Sequence, residues 1–149
     1  MKQNRKVGKK APKGSMRQKD YEALAAFRYA LRRFFRFSDE EAARAGLSIR
    51  QYQALLTIRG FPGRGKVTIG EIAEWLQIRH HSAVGLVNRL ATRGFVVRRK
   101  SEEDRREVYL RITAKGKRIL EKLAFLNKQE LKRLSPHLQL VNLLSQEDG

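Results

Sequence analysis

The chain contains no cysteine among its 149 residues. Disulfide frameworks, thiolate metal sites and thiol-based redox switches are therefore excluded by residue type. The chain also lacks an apolar run of about 18 residues, the length that crosses a bilayer, and an apolar block near its start that could act as a signal peptide. We therefore expect a cytoplasmic protein with no membrane partner. One domain is expected, because the chain is too short for two of ordinary size.

Acidic side chains are scarce relative to basic ones: 33 Lys and Arg stand against 15 Asp and Glu, a net charge of +18. Eight of the basic residues and no acidic residue lie within residues 1–19, so the remainder has 25 basic against 15 acidic side chains, a net +10. Nucleic acid is the expected partner, because each neutralised phosphate releases condensed counterions. An anionic membrane surface is the alternative, although neither a lipidation motif nor a detached basic amphipathic helix is present. A basic surface that serves only solubility also stays open.

Residues 1–18 form a stretch of basic and small polar residues that offers no apolar face. This composition predicts a disordered basic arm. The arm either adds phosphate contacts or only keeps the chain soluble. We assign residues 19–149 to a single domain.

The first part of that domain is predicted to be helical. Apolar residues recur at helical spacing over residues 21–37, and Ser38 then begins a capping box that predicts a second, short helix over residues 39–45. Ser48 begins another capping box, and the helix that it opens is expected to end at Gly60.

Two further short helices follow. Thr68 begins a third capping box and opens a helix through Leu76, and the next helix starts near Arg79 or His80 and ends at Gly94. Two short helices separated by so tight a turn form a helix-turn-helix, which places its second helix in the major groove of duplex DNA.

A β-hairpin and a long helix complete the chain. Two β-rich runs, residues 95–99 and 107–112, flank a charged stretch and predict a hairpin with a polar tip. Thr113 is expected to cap a final long helix, which Pro136 should interrupt before a shorter helix over residues 137–144. The predicted fold class is mainly α with a small β-hairpin wing (α+β), a winged helix-turn-helix.

The second helix of the helix-turn-helix carries candidate DNA-binding side chains. Arginine can bind guanine with two hydrogen bonds, asparagine can do the same to adenine, and serine offers a short hydroxyl. The candidates on this helix are Arg79, His80, His81, Ser82, Asn88 and Arg89.

The two adjacent histidines could also serve a purpose besides DNA contact. We expect no metal site, because neighbouring residues of a helix point about 100° apart and no Cys or acidic residue lies at ligand spacing. One of the imidazoles could instead cap the helix or be partly buried, and either could titrate near neutral pH. No cofactor is predicted.

The hairpin tip supplies a second set of candidates. Arg105 and Arg106 are placed to enter a minor groove. Where that groove is narrow, its negative potential is stronger and attracts guanidinium groups. Alternatively, an arginine pairs with Asp104 and holds the loop closed. We expect the two arginines to divide these roles, with Asp104 as the residue that stabilises the wing.

Several segments of the chain resemble the MarR family of bacterial transcription regulators. They are residues 48–55, 72–76, 81–90 and 94–96, and the wing sequence Asp104-Arg105-Arg106 with Ile112-Thr113, which matches the family pattern D-x-R-x5-L-T with Ile for Leu. The likeness covers about residues 20–134. Val84 and Gly85 depart from it, since these positions are often polar or basic in the family.

The resemblance implies a homodimer that reads a pseudo-palindromic operator in duplex DNA and, by family habit, represses transcription. Residues 19–46 and 113–149 would then form the dimerisation region, and residues 48–112 the winged-helix DNA-binding region. The many large apolar residues over 24–35 and 120–144 independently favour a partner surface, although these helices could also pack within one subunit.

Other functions and partners stay open. A sequence-tolerant architectural protein that binds DNA or RNA would share the same charge. An enzyme is not expected, because no nucleophile elbow, phosphate loop or metal spacing is present. Family members often respond to small phenolic or lipophilic anions, and the aromatic residues that could line an effector site, or simply belong to the core, are Tyr29, Phe34, Phe61 and Trp75.

Overall fold

The computed structural model describes residues 14–63 and 65–146, in which five helices surround a small sheet. The elements in chain order are α1 (Gln18–Arg44), α2 (Ile49–Gly60), β1 (Val67–Thr68), α3 (Ile69–Leu76), α4 (His80–Thr92), β2 (Val96–Lys100), β3 (Val108–Ile112) and α5 (Ala114–Gln146). The strands form one antiparallel sheet in the order β1-β3-β2. The mainly α fold with a small wing is confirmed. The predicted arm covers residues 1–18, of which residues 1–13 lie outside the described residues.

One hydrophobic core lies between α2, α3, α4 and the inner face of the sheet. Its fully buried large side chains are Leu55, Ile58, Ile72, Leu86, Leu90 and Leu110. Burying a side chain of this size contributes about 1.5–3 kcal/mol. α5 adds Leu120 and Leu123 to the same core, so the long C-terminal helix is anchored in the winged-helix region.

Two helix starts are fixed by side-chain caps at the predicted residues, as a full capping box at Ser48 and as a single side-chain bond at Thr68. The Ser48 hydroxyl accepts from the Gln51 N–H at 3.1 Å, and the Gln51 side chain accepts from the Ser48 N–H at 3.0 Å. At the start of α3, Thr68 Oγ1 accepts from the Glu71 N–H at 3.1 Å. These bonds satisfy backbone donors that have no partner inside the helix.

Thr113 caps α5, also as predicted, and joins this helix to the wing. Its hydroxyl accepts from the Gly116 N–H at 3.1 Å and donates to the Gly94 carbonyl at 2.6 Å. Gly116 is buried so tightly that a Cβ at this position would lie 2.3 Å from the carbonyl oxygen of Phe95. The first turn of α5 therefore rests directly on the chain that leads into β2.

α1 is one continuous helix, and the predicted break at Ser38 is wrong. Ser38 is buried, and its hydroxyl donates to Oδ1 of Asn127 on α5 at 2.6 Å. A capping hydroxyl would instead sit at a helix end and accept from a backbone N–H three residues on. Because this hydroxyl is engaged with α5 and Ala42 continues the buried side, the helix runs to Arg44.

α5 likewise runs through Pro136, so the predicted interruption is wrong. Proline removes one intrahelical hydrogen bond and disfavours a helix interior by about 3 kcal/mol. Here Leu134 is buried beside α1 while Pro136 is exposed, so packing of α5 on α1 supports the helix across this position. Although α5 has 33 residues, neither it nor another described helix has an apolar stretch long enough to span a membrane.

β1 was not predicted from the sequence. It contains two residues, too few to show the alternation by which strands are recognised. Val67 pairs with Leu110 and Thr68 with Tyr109, so β1 extends the hairpin into a three-stranded sheet.

Candidate nucleic-acid interface

Gln77 fixes the tight corner between α3 and α4. It ends α3 in the left-handed conformation, with φ 52° and ψ 48°. Its backbone N–H donates to the carbonyls of Ala73 and Glu74, and its Nε2 donates to the Glu74 carbonyl at 2.6 Å. The left-handed conformation costs a residue with a Cβ about 1–2 kcal/mol, so these bonds stabilise the turn that α4 follows.

α4 buries one side and exposes the other. Its buried residues are Ala83, Leu86, Val87 and Leu90. The predicted contact residues lie outside this set: Ser82 is half-buried, and the exposed ones are Arg79, His80, His81, Asn88 and Arg89. The N-terminal end of α4 thus presents polar side chains from a helix that is anchored in the core. The positive end of the helix dipole points the same way and favours a negatively charged partner.

His80 and His81 are both exposed, so neither is a partly buried imidazole. The N-cap position belongs to Arg79, whose side chain makes no capping hydrogen bond. Within the part of the chain that the structure describes, no group of three His, Cys, Asp or Glu side chains could hold a metal ion. The two imidazoles are therefore available to an external partner at the tip of α4.

Asn88 is engaged by a residue that was not predicted from the sequence: Arg98 of β2 donates a hydrogen bond to its Oδ1. A two-bond contact with adenine uses both the oxygen and the nitrogen of an asparagine amide. Because a guanidinium takes up one of the two lone pairs of this oxygen, the N–H donors are the more accessible groups of the Asn88 amide. It therefore favours acceptors, such as guanine O6 and N7 or a phosphate oxygen.

The wing tip is organised by the side chains of Ser101 and Asp104. Ser101 Oγ accepts from the N–H groups of Glu103 at 3.2 Å and Asp104 at 3.3 Å, and Asp104 Oδ1 accepts from the Arg106 N–H at 3.0 Å. Within residues 65–146 Asp104 forms no ion pair with Arg105 or Arg106, so a backbone donor takes the place of the expected guanidinium. Both arginine side chains are exposed at the tip.

The four aromatic residues named as an effector site do not line one cavity. Tyr29 and Phe34 line a cleft of about 80 Å³ between α1 and α5, together with Arg33, Glu130, Arg133 and His137. Phe61, which follows α2, instead pairs with Trp75 in the last turn of α3, with ring centroids 4.8 Å apart. Trp75 is 53% exposed, so it is not a core residue.

Comparison with known proteins agrees with this geometry. Residues 45–107, which include α2, the helix-turn-helix and most of the wing, match the family model described as the MarR family. This part of the chain is therefore similar in sequence to the MarR family. A curated relative of this chain is the HTH-type transcriptional regulator YfiV of Bacillus subtilis (strain 168), which is 34% identical over 94 residues. That alignment spans 60% of this chain and 57% of the relative's length.

Solved structures share the fold over most of the chain. A MarR family protein from Bacillus stearothermophilus superimposes with a TM-score of 0.71 at 20% identity, covering 89% of this chain and 98% of that one. A mutant MarR from E. coli, crystallised in complex with operator DNA, gives a TM-score of 0.65 at 17% identity, covering 85% and 92%. At these identities the likeness establishes the winged helix-turn-helix fold.

Proposed function

We propose that this chain is a homodimeric transcriptional repressor that binds a pseudo-palindromic operator in duplex DNA. The observation that carries the proposal is the exposed start of α4, residues 79–81, on a helix whose other side is buried. A major groove admits one helix, and a rigidly held helix can place its first side chains against base edges. Bound at a promoter, such a dimer would repress by occlusion.

The wing provides the second DNA contact of this proposal. Arg105 and Arg106 are exposed at a tip that the bonds of Ser101 and Asp104 hold in shape. A guanidinium group is attracted to a narrow minor groove, where the negative potential is greatest. α4 and the wing would therefore occupy neighbouring grooves. The fold shared with E. coli MarR, a protein crystallised with operator DNA, supports a role in DNA binding.

Exposed apolar side chains on the two long helices support dimerisation. The large ones are Tyr21, Leu24, Tyr29 and Phe35 on α1 and Phe125, Leu131 and Leu138 on α5. A monomer seldom exposes so many large apolar groups on adjacent helices, because covering them with a second copy removes apolar surface from water. Residues 19–46 and 113–149 are thus the proposed dimerisation region, and residues 48–112 the DNA-binding region.

Selection of bound fragments from random duplexes at two salt concentrations tests this function. We expect an inverted repeat whose half-sites lie about 10 base pairs apart, one helical turn, enriched at both concentrations. The Arg79→Ala variant should lose roughly tenfold or more in preference for that repeat, the effect of one good bidentate contact. Arg118→Ala, the same charge change on an exposed part of α5, serves as the control.

Enrichment without a common sequence would contradict the proposal. Together with a steep salt dependence, that result would favour the sequence-tolerant architectural alternative. The dimer is tested separately by sedimentation: Leu131→Glu should give monomers, whereas Leu56→Glu, the same change at an exposed position of α2 outside the dimerisation region, should leave the dimer intact.

A further inference from the structure

The outer face of the wing sheet carries a cluster of basic side chains around Tyr109. Side chains alternate between the two faces of a strand, and directly paired residues share a face. Leu110 is buried in the core and pairs with Val67 and Arg98, so its neighbours in β3 point the opposite way. The outer face therefore holds Tyr109, its partner Arg99 and the next outward residue of β3, Arg111.

Lys66 completes this cluster, which we name the outer basic face: Lys66, Arg99, Tyr109 and Arg111. Lys66 Nζ lies 4.2 Å from the centroid of the Tyr109 ring, a cation–π contact. Continued by one residue, the register of β1 and β3 places Lys66 opposite Arg111. Like charges that face each other across a sheet are destabilising, so a bound anion would relieve repulsion in this cluster.

Acidic residues of the same region do not neutralise the arginines. Within residues 65–146, neither Arg99 nor Arg111 forms an ion pair, and the nearby Glu107 instead accepts a hydrogen bond from Tyr109 Oη at 2.8 Å. A cleft of about 420 Å³ opens beside the outer basic face, and Lys100, Ser101, Glu102 and Glu103 complete its lining. Four basic side chains thus border this cleft, whereas only two acidic side chains do, at its wing-tip end.

We propose that the outer basic face binds the phosphate backbone of duplex DNA that continues beyond the operator, an inference that rests on the proposed function. The hairpin that would place Arg105 and Arg106 in a minor groove carries Arg99 and Arg111 on the side turned away from the core. DNA passing the wing on that side presents rows of phosphates, which arginine can bind with two hydrogen bonds. The contact would add affinity without reading sequence.

Duplex length and salt dependence isolate this contact. The wild-type chain is titrated with a minimal operator duplex and with the same operator extended by about 10 base pairs at each end, one helical turn. Each phosphate contact steepens the dependence of log K on log salt by about 0.9, so two arginines should steepen it on the extended duplex by roughly 2 for each wing engaged. Arg99→Gln/Arg111→Gln should remove that difference and leave binding of the minimal duplex unchanged.

Two further variants separate charge from folding. Arg118→Gln/Lys122→Gln removes the same charge from exposed positions of α5 and should keep the wild-type difference between the duplexes. Arg99→Lys/Arg111→Lys keeps the charge on the sheet and should restore the steeper slope. Thermal unfolding of each variant verifies that the sheet is intact.

Three results would overturn the inference. The first is an equal salt slope of the wild type on both duplexes, and the second is a glutamine variant that keeps the difference between them. The third is a glutamine variant that weakens binding to both duplexes equally, which would place the arginines at the operator itself. If selection enriches no operator, the proposed function fails on its own. The glutamine variant and its control are then compared on a mixed-sequence duplex of about 40 base pairs, where equal slopes would overturn the outer basic face as a phosphate contact and a shallower slope for the variant would support it.

Discussion

The hydroxyl of Ser38 donates a 2.6 Å hydrogen bond to Oδ1 of Asn127, and both residues are buried where α1 meets α5. Nδ2 of the same asparagine donates to the Leu123 carbonyl at 2.8 Å, so its amide is oriented from both ends. A buried polar pair of this kind has one favourable arrangement, because sliding α1 along α5 would leave both groups without partners.

Ser38→Ala should destabilise the protein by about 1–3 kcal/mol, because it leaves a buried amide oxygen without its donor. Ser38→Ala/Asn127→Leu should recover part of this loss, since removing both polar groups is less costly than removing one. Urea denaturation monitored by circular dichroism measures both changes. A single variant as stable as the wild type would show that Asn127 finds another donor.

Gly116→Ala should destabilise the protein by about 1–3 kcal/mol through overpacking. The added Cβ would lie 2.3 Å from the Phe95 carbonyl oxygen and 2.7 Å from Cγ1 of Ile112, so the first turn of α5 must move away from the wing. Gly85→Ala is the control, because its Cβ would meet only the flexible end of Arg89 at 3.4 Å. Thermal unfolding should separate the two variants, and equal melting temperatures would contradict the tight contact at Gly116.

Asp104→Ala should loosen the wing tip without unfolding the domain. The substitution removes the acceptor of the Arg106 N–H in an exposed loop, so we expect less than about 1 kcal/mol of change in global stability. Amide hydrogen exchange at Arg106 should accelerate, and affinity for the selected operator should fall. Glu102→Ala, the same charge change at a neighbouring exposed position, should leave the exchange at Arg106 unchanged. Unchanged exchange at Arg106 in Asp104→Ala would contradict the role of this carboxylate.

Arg98→Ala should change base preference rather than only affinity. The substitution frees the Asn88 oxygen, so the amide can rotate and form the two-bond contact with adenine for which Arg98 competes. Selection experiments on Arg98→Ala and Asn88→Ala should therefore show a shift at the same base position, and the double variant should add little to either. A uniform loss across all sequences would identify Arg98 as a phosphate contact instead.

Features set by neighbouring residues were predictable from the sequence. The caps at Ser48, Thr68 and Thr113 involve partners within three residues, so the local pattern contains both sides of each bond. Ser38 has the same local pattern, yet its partner Asn127 lies 89 positions away. A serine that packs against a distant helix cannot be distinguished from a cap by its neighbours alone.

The unpredicted parts of the site depend on strand register in the same way. Arg98 meets Asn88, and Arg99 and Arg111 share a face, only because β2 and β3 pair in one particular alignment. A charged hairpin predicts a wing, but its side-chain partners change face with a slip of one residue. The prediction at Pro136 failed for a different reason. Proline strongly disfavours a helix interior, but packing of α5 along α1 overrides that local preference.

Because α5 is one unbroken helix, a tilt at one of its ends displaces the other end. With 33 residues at 1.5 Å each, this helix is about 50 Å long, and its first turn is tied to the wing through Thr113 and Gly116. A tilt of only about 5° at the far end would displace the near end by roughly 4 Å, close to the rise of one base-pair step. In the proposed dimer, the angle at which the two copies of α5 cross would therefore set the separation of the two wings.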